Sequence, residues 1–248
     1  MEKNLKHKQF GLVGKNIEYS FSKIYFENKF SRNKKYTYFN YKNFDIKNIS
    51  EIKDIYRIKN LSGLNITIPY KEKIIPYLDQ LTITAQKIGA VNTVIFKNGK
   101  TIGDNTDVIG FERALEVFVG SFIKKALVLG SGGASKAIEF VLRKNKIDII
   151  IVSRNPNKNE ISYIDLNQEL INNYPLIINC TPLGTFPKIE ELPKIPYDYI
   201  SSKNYLFDLI YNPKETKFMK KGTDKGANVC NGHNMLIQQA EASWKLWK

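Results

Sequence analysis

The segment ALVLGSGGASKA, residues 126–137, constrains the fold of this chain more than any other stretch. Four apolar residues, too few for a helix, run directly into a glycine cluster, and from Ala134 onward apolar residues recur at the spacing of one helix face. A strand, a glycine turn and a helix in this order form the first half of a nucleotide-binding βαβ unit, because the glycines let the backbone approach a pyrophosphate and the helix N-terminus offers it N–H groups. The spacing is G-x-G-G rather than G-x-G-x-x-G, so an ordinary strand-to-helix turn stays an alternative for this motif alone.

The next strand predicts which dinucleotide this unit prefers. The apolar run 149–152 ends at Ser153, Arg154 and Asn155, and Lys158 follows. An acidic residue at such a strand end binds the ribose hydroxyls of NAD, whereas an arginine accommodates the 2′-phosphate of NADP. Both basic residues are also compatible with a solvated surface, but their position at the strand end favours NADP.

Size and composition indicate a soluble globular protein. A chain of 248 residues with 42% hydrophobic and 25% charged residues can form one large domain or two smaller ones. No apolar run approaches the length of a membrane span, and residues 1–9 are charged without a signal-type core. The two cysteines, Cys180 and Cys230, form no disulfide framework and fit a reducing cytoplasm, and the two histidines give no zinc-ligand spacing.

The formal net charge of +14 leaves nucleic-acid binding open as a second class of function. The lysines are scattered along the whole chain among many Asn and Ile residues, and they form no dense basic block. A general compositional bias explains this pattern better than a phosphate-binding stripe does, and a positive field would also attract small anionic substrates.

Apolar runs alternate with helical stretches throughout the second half of the chain. This alternation predicts a parallel sheet covered on both faces, the doubly wound or Rossmann-like arrangement. Ligands of such sheets bind at the carboxyl ends of the strands, so the loops 179–184 and 208–213 are candidate binding loops. The predicted strands are 126–129, 149–152, 176–179, 205–209 and 227–229.

The first half predicts a smaller α/β domain that ends near residue 107. Strands are expected at 10–14, 36–41 and 64–68, the last ended by Pro69, followed by a hairpin with an Asn98-Gly99 turn. Helices are expected at 23–30, 49–58, 108–119 and, at the C-terminus, 234–247.

Two features of this half have alternative interpretations. Ser20 and Ser22 precede a helix, where hydroxyls either cap its N–H groups or bind an anion, and their spacing alone favours the cap. Lys71 stands just past a strand end, where functional groups are presented but where most lysines are merely solvated.

Taken together, the motifs resemble those of the shikimate dehydrogenase family, from about residue 10 to the end. Each motif alone is weak, but their common order is specific. The matching stretches are GLVG (11–14), YSFS (19–22), NITIPYK (65–71), GAVNT (89–93), GDNTDVIG (103–110), the glycine loop, NCTPLG (179–184), DLIYNP (208–213) and GHNMLIQQA (232–240).

The resemblance implies an N-terminal α/β substrate-binding domain, residues 1–107, joined by the C-terminal helix 233–248, and a Rossmann-like NADP-binding domain, residues 108–232. It implies reversible reduction of 3-dehydroshikimate to shikimate by NADPH, in aromatic amino-acid biosynthesis, with an active site in a cleft between the two domains. By motif position, Lys71 and Asp107 are the catalytic pair, and Ser20 and Ser22 hold the substrate carboxylate, which reverses the preference for a cap.

The remaining implied site residues fall into two sets. The substrate ring hydroxyls would be bound by Thr67, Asn92, Tyr211 and Gln239. The cofactor would contact Gly130, Ser131, Gly132, Gly133, Ala134, Ser153, Arg154, Lys158, Leu209 and Gly232. No metal is implied, and the partners would be small molecules, without nucleic acid or membrane, for a monomer or a homodimer.

The sequence departs from the family pattern at three positions. Tyr19 stands where histidine is usual, Lys23 where proline is common, and Ser153 where asparagine is usual. Tyr19 would lie near the substrate carboxylate, so this departure could alter the affinity for the substrate. Ser153 presents a hydroxyl, and this departure should matter less.

Besides nucleic-acid binding, two further alternatives to the main hypothesis remain. One is a paralogue that oxidises quinate or shikimate, often with NAD, which an acid near Ser153 would have supported. The other is an NADP-binding regulatory protein without catalysis, against which the presence of both Lys71 and Asp107 argues.

Overall fold

The structure is a computed structural model that describes residues 7–18 and 20–248, so that Tyr19 lies outside the described residues. The chain divides into two compact units. One contains the described residues up to Thr106 together with Ala240–Lys248, and the other contains Asp107–Gln239. The C-terminal helix, His233–Trp247, therefore begins in the second unit and ends in the first.

The first unit is built on a mixed six-stranded sheet of order β2-β1-β3-β5-β6-β4. Strands β1, β2 and β3 run parallel, whereas β5 is antiparallel to β3 and β6. The elements are β1 (Lys8–Gly14), α1 (Phe21–Ser31), β2 (Phe39–Asp45), α2 (Ile52–Tyr56), β3 (Leu61–Ile66), β4 (Gln80–Leu81), α3 (Ile83–Ile88), β5 (Thr93–Lys97) and β6 (Lys100–Asp104).

The second unit is built on a six-stranded sheet of order β12-β11-β10-β7-β8-β9, in which every neighbouring pair is parallel. Its elements are α4 (Asp107–Val119), β7 (Lys125–Leu129), α5 (Gly133–Lys144), β8 (Asp148–Ser153), β9 (Glu160–Ser162), α6 (Gln168–Asn173), β10 (Leu176–Asn179), β11 (Tyr205–Asp208), α7 (Lys217–Asp224), β12 (Asn228–Cys230) and α8 (His233–Trp247). All four residues of β10 are buried, as expected of a parallel strand that is covered on both faces.

The end of α8 completes a hydrophobic core of the first unit. Trp244 and Trp247 pack with Phe10 and Phe26, and Trp247 Nε1 donates a hydrogen bond of 3.0 Å to the Val94 carbonyl. Gly63 of β3 lies against the Trp247 ring, where an added Cβ would be 2.5 Å from ring atoms. The absence of a side chain at this glycine therefore makes room for the indole.

Most predicted elements are confirmed, and the differences have local causes. The predicted strand 64–68 ends at Ile66, and Ile68 is 61% exposed although its alternation with Ile66 predicted an inward position. The predicted strand 36–41 begins only at Phe39, since 34–36 form a 3-10 turn that Asn33 caps through its side chain. The short edge strand β9 (EIS) was not predicted, because it has almost no apolar pattern.

Among the described residues, no helix is both long and apolar enough to cross a membrane.

Candidate active site

The first turn of α1 holds the two candidate carboxylate-binding serines. Ser20 is the N-cap residue, and its Oγ accepts a hydrogen bond of 3.3 Å from the Ser22 backbone N–H. The local prediction of a cap is therefore confirmed for Ser20. Ser22 is also buried, and its hydroxyl is close enough to the phenol of Tyr41 on β2 to lower the pKa of that phenol. Burial raises the pKa of Tyr41 well above its ordinary value, so the phenol is protonated at neutral pH.

Thr67 and Lys71 lie on the turn that follows β3. The Thr67 N–H donates to the Val13 carbonyl over 2.9 Å, and the Lys71 carbonyl accepts from the Val91 N–H over 2.7 Å. Tyr70 anchors the turn through its buried hydroxyl, which donates to the Ile46 carbonyl over 2.8 Å. Backbone bonds thus fix the base of the half-buried Lys71 side chain beside the segment that carries Asn92.

Asn92 stands directly before β5 and is only 3% exposed. Its carbonyl accepts from the Ile66 N–H over 2.8 Å, and its N–H donates to the Asp104 carbonyl over 3.1 Å. Because Ile66 is the last residue of β3, Asn92 and Thr67 lie at the same edge of the sheet. The first unit therefore brings together the predicted residues Ser20, Ser22, Thr67, Lys71 and Asn92.

Asp107 and Gln239 belong to the second unit. Asp107 is the first residue of α4 and is 6% exposed, at the helix end where a carboxylate is stabilised by the dipole. Gln239 lies on α8, 8% exposed, and its amide donates to the Leu236 carbonyl over 3.0 Å. The two helices meet at Gly110, where an added Cβ would be 2.9 Å from the Gln239 Cβ. This glycine contact brings Gln239 to the first turns of the helix that Asp107 begins.

The glycine loop after β7 has the features of a phosphate site. Gly130 has a φ of +101°, a conformation that favours glycine, and an added Cβ there would be 3.0 Å from Thr181 Cγ2. Gly132 is the N-cap residue of α5 without a side-chain cap, and no heavy atom lies within 4 Å of the place where its Cβ would be. A helix N-terminus without a side-chain cap, behind a loop with room for a ligand, fits the pyrophosphate of a dinucleotide.

The end of β8 adjoins this candidate phosphate site. Ser153 is buried and its Oγ lies 3.1 Å from Ser131 Oγ, which joins the strand end to the glycine loop. Arg154 and Lys158 follow on the exposed loop. The second unit therefore groups Ser131 with Ser153, and it presents both basic residues next to them in the chain.

Leu209 and Gly232 are in direct contact. A Cβ on Gly232 would lie 2.1 Å from the Leu209 carbonyl oxygen, and the Gly232 N–H donates to the Ile210 carbonyl over 3.0 Å. Tyr211 follows in the same loop and is half-buried. The loop after β11 is thus held against the segment before α8.

Known proteins match the chain over both units. The family model of the shikimate dehydrogenase substrate binding domain matches residues 12–94. A shikimate dehydrogenase (NADP(+)) of Methanococcus maripaludis is 40% identical over 261 aligned positions, which cover 98% of this chain and 93% of that protein.

This chain belongs to the shikimate dehydrogenase family.

Solved shikimate dehydrogenases share the fold. A crystal structure of one in complex with NADP+ superimposes with a TM-score of 0.87 at 34% identity, covering 99% of this chain and 91% of that one. The enzyme of Thermus thermophilus, in complex with NADP(H) and shikimate, gives a TM-score of 0.82 at 29% identity, covering 97% and 93%. These shikimate dehydrogenases match in both units, which agrees with the predicted α/β fold of a substrate-binding domain and a Rossmann-like domain.

The Asp208 carboxylate, which lies at the edge of the parallel sheet in this shikimate dehydrogenase family member, was not identified from the sequence. Asp208, at the end of β11, is fully buried and accepts hydrogen bonds from Asn179 Nδ2 (3.0 Å), the Ile210 N–H (3.0 Å) and Thr216 Oγ1 (2.6 Å). Burial raises its pKa to about 6, although the three hydrogen bonds act in the opposite direction. Asp208 fixes the start of the 209–213 loop, and only its place at a strand end signalled it.

A metal centre has no support among the described residues, where no group of three or more His, Cys, Asp or Glu side chains is placed to hold an ion.

Proposed function

We propose that this chain is an NADP-dependent shikimate dehydrogenase, which reduces 3-dehydroshikimate to shikimate reversibly in aromatic amino-acid biosynthesis. The observation that carries the proposal is the 40% identity to a shikimate dehydrogenase (NADP(+)) along 98% of the chain. The match extends through both compact units and covers 93% of that protein, so it is not confined to one domain.

The residues of the two units suit the two halves of this task. We assign substrate binding to residues 1–107 with the C-terminal helix 233–248, and cofactor binding to residues 108–232. In the first unit, Ser20 and Ser22 would hold the carboxylate, and Thr67 and Asn92 would bind ring hydroxyls. Tyr211 and Gln239 would complete the set of hydroxyl ligands.

The residues that we assign to the cofactor follow the carboxyl ends of strands of the parallel sheet. The N-terminus of α5, with Gly130 to Ala134, would hold the pyrophosphate, and Arg154 with Lys158 would pair with the 2′-phosphate. Ser153, Leu209 and Gly232 would line the rest of the site. NADPH, when bound, supplies the hydride that reduces the substrate carbonyl carbon.

Proton transfer is the step that the protein itself must provide. As the carbonyl carbon accepts a hydride, its oxygen becomes an alkoxide and must receive a proton. We assign that donation to the Lys71 ammonium, whose base is fixed by the bond between its carbonyl and Val91. Asp107 would orient the ammonium, and in the oxidation direction Lys71 would take the proton back.

The other expectations follow the same proposal. We place the protein in the cytoplasm as a monomer or a homodimer, with small molecules as its partners. The rival functions are a quinate/shikimate paralogue that uses NAD, an NADP-binding regulator without activity, and a nucleic-acid binder. The absence of an acid after Ser153 disfavours the first, and the presence of Lys71 and Asp107 disfavours the second.

The decisive experiment follows cofactor reduction by absorbance with shikimate or quinate, each with NADP+ or NAD+. We expect turnover with shikimate and NADP+, and kcat/KM values at least tenfold lower for the other combinations. A preference for quinate with NAD+ would identify the paralogue, and no turnover with NADP+ bound would identify the regulator. Binding to DNA at physiological ionic strength, lost at high salt, would support the nucleic-acid function instead.

A further inference from the structure

The first unit contains a cluster of polar side chains that are all at least 95% buried. Buried polar groups are costly unless each finds a partner, so such a cluster must be nearly fully hydrogen-bonded. It unites residues that are far apart in the chain, from β2 to the end of α8. The members of this buried polar cluster are Tyr41, Asn65, Asn92, Thr93, Thr106 and Ser243.

The orientation of the Asn92 carboxamide follows from its partners. The Thr106 backbone N–H donates to Asn92 Oδ1 over 2.7 Å, and a backbone N–H has no ability to accept, so this atom is the oxygen. The hydroxyls of Thr93 and Thr106 lie 3.0 and 3.1 Å from the same oxygen. The carboxamide nitrogen therefore faces away from these groups, and Asn92 meets a ligand as a hydrogen-bond donor.

The orientation of Asn65 is fixed in the same way. Its Nδ2 donates to the Asn92 backbone carbonyl over 3.3 Å, and a carbonyl only accepts. Its Oδ1 accepts from the Tyr41 hydroxyl over 2.8 Å. The second N–H of Asn65 is directed to Ser243 Oγ, 2.9 Å away.

Ser243 sets the direction of the threonine hydroxyls. Its Oγ accepts from Asn65 and lies 2.7 Å from Thr93 Oγ1 and 3.0 Å from Thr106 Oγ1. Either oxygen can be the donor in each of these two contacts, and the single Ser243 proton can serve only one of them. A threonine that accepts this proton has its own proton available for Asn92 Oδ1, which accepts but does not donate.

We propose that Ser243 is a positioning residue, which acts through Thr93 and Thr106 to hold the Asn92 carboxamide with its nitrogen toward the substrate. The proposal rests on the proposed function in so far as Asn92 binds a substrate oxygen. Removal of the Ser243 hydroxyl takes one hydrogen-bond partner from each of Asn65, Thr93 and Thr106. The two threonine hydroxyls stay within reach of Asn92 Oδ1, but they lie 3.2 Å apart and can then bond to each other, which leaves the Thr106 N–H as the one fixed donor to that oxygen.

The test compares Ser243→Ala with Ser243→Thr, which keeps the hydroxyl, and with Ala242→Gly, which weakens the same buried end of α8 without removing a hydrogen bond. We expect Ser243→Ala to raise the KM for shikimate about five- to tenfold, the effect of one lost hydrogen bond, while the KM for NADP+ stays constant. The KM of Ser243→Thr for shikimate should stay close to that of the unaltered protein. Ala242→Gly should lower the Tm and leave the KM for shikimate unchanged.

A second measurement does not depend on activity. In the ligand-free protein, the side-chain NH2 resonances of Asn92, assigned by their loss in Asn92→Asp, should shift or broaden in Ser243→Ala and remain in place in Ala242→Gly. Unchanged Asn92 resonances, or a Ser243→Ala protein with a lower Tm and a normal shikimate KM, would overturn the positioning role. If the unaltered protein fails to oxidise shikimate, the proposed function fails, and the resonances still decide whether Ser243 positions Asn92.

Discussion

Gly232 lies against the backbone of Leu209 so closely that no side chain fits between them: a Cβ at position 232 would be 2.1 Å from the Leu209 carbonyl oxygen and 2.6 Å from its carbon. The obstructing atoms are backbone, so the loop itself would have to move. Leu209 directly follows Asp208, whose carboxylate accepts from the Ile210 N–H. A change at Gly232 should therefore reach the whole 208–211 loop.

Gly232→Ala should lower the free energy of unfolding by about 1–3 kcal/mol, the usual cost of overpacking. Since Leu209 and Gly232 are both proposed cofactor residues, the KM for NADP+ should also rise, by about tenfold for a loss of 1.4 kcal/mol. The matched control is Gly222→Ala on α7, where a Cβ would be 2.6 Å from Leu206 Cδ2. Gly222→Ala should lower the stability without changing the KM for NADP+. If the unaltered protein, Gly232→Ala and Gly222→Ala have the same KM for NADP+, Leu209 and Gly232 do not belong to the cofactor site.

Lys71→Ala should lower kcat about 10²- to 10⁴-fold, the range for loss of a general acid or base. The KM for shikimate should change little, because the interaction matters mainly in the transition state. Lys71→Met keeps the stem without the ammonium and should behave in the same way. Lys73→Ala, two residues further on and exposed, removes the same charge and should be neutral. Near-normal kcat with a steep rise in KM would make Lys71 a binding residue only.

Arg154→Ala should weaken NADP+ binding by roughly 1.5–3 kcal/mol, the range for hydrogen bonds to charged groups, and leave NAD+ binding almost unchanged. Calorimetric titration with both cofactors measures the difference. Arg143→Ala, at the exposed end of α5, removes one positive charge from the same unit and serves as the control. Equal losses for the two cofactors would show that Arg154 does not contact the 2′-phosphate.

The double variant Ser20→Ala/Ser22→Ala should raise the KM for shikimate far more than that for NADP+. Its stability should fall by no more than a lost cap costs, about 0.5–2 kcal/mol, since only Ser20 caps α1 and the Tyr41 hydroxyl beside Ser22 keeps its bond to Asn65. Ser31→Ala, at the exposed end of the same helix, should change neither quantity. A loss of stability with a normal shikimate KM would leave the serines with a structural role alone.

Asp208 predicts a specific pH dependence of stability. Its folded-state pKa of about 6 lies above the ordinary value of 3.8, so the folded protein binds this proton more tightly than the unfolded chain does. The resulting stabilisation is complete below pH 3.8 and is lost as the pH rises through about 6. Between pH 4 and 7 the unaltered protein should lose about 2 kcal/mol relative to Asp208→Asn, as measured by denaturant unfolding. Identical pH slopes in the two proteins would contradict the raised pKa.

Sequence patterns predicted the parallel sheet well, because its strands are continuous apolar runs; β10 has the predicted bounds 176–179. They also predicted the helix cap at Ser20, which depends on neighbouring residues only. The partnership of Asn179 with Asp208 was not predictable in this way, since it depends on the register of β10 against β11. The contact of Ser243 with Thr93 joins residues 150 positions apart, and no local spacing indicates it.

Because Trp244 and Trp247 belong to the core of the first unit, this core can be completed only after the end of α8 has been synthesised. Residues 107–239 are continuous in the chain, whereas Phe10 and Phe26 must await the indole rings of Trp244 and Trp247. At roughly 5–20 residues per second, translation of the intervening segment takes on the order of ten seconds. The portion synthesised first is thus completed last, and a chain that ends before Trp244 would leave the aromatic surface of Phe10 and Phe26 exposed.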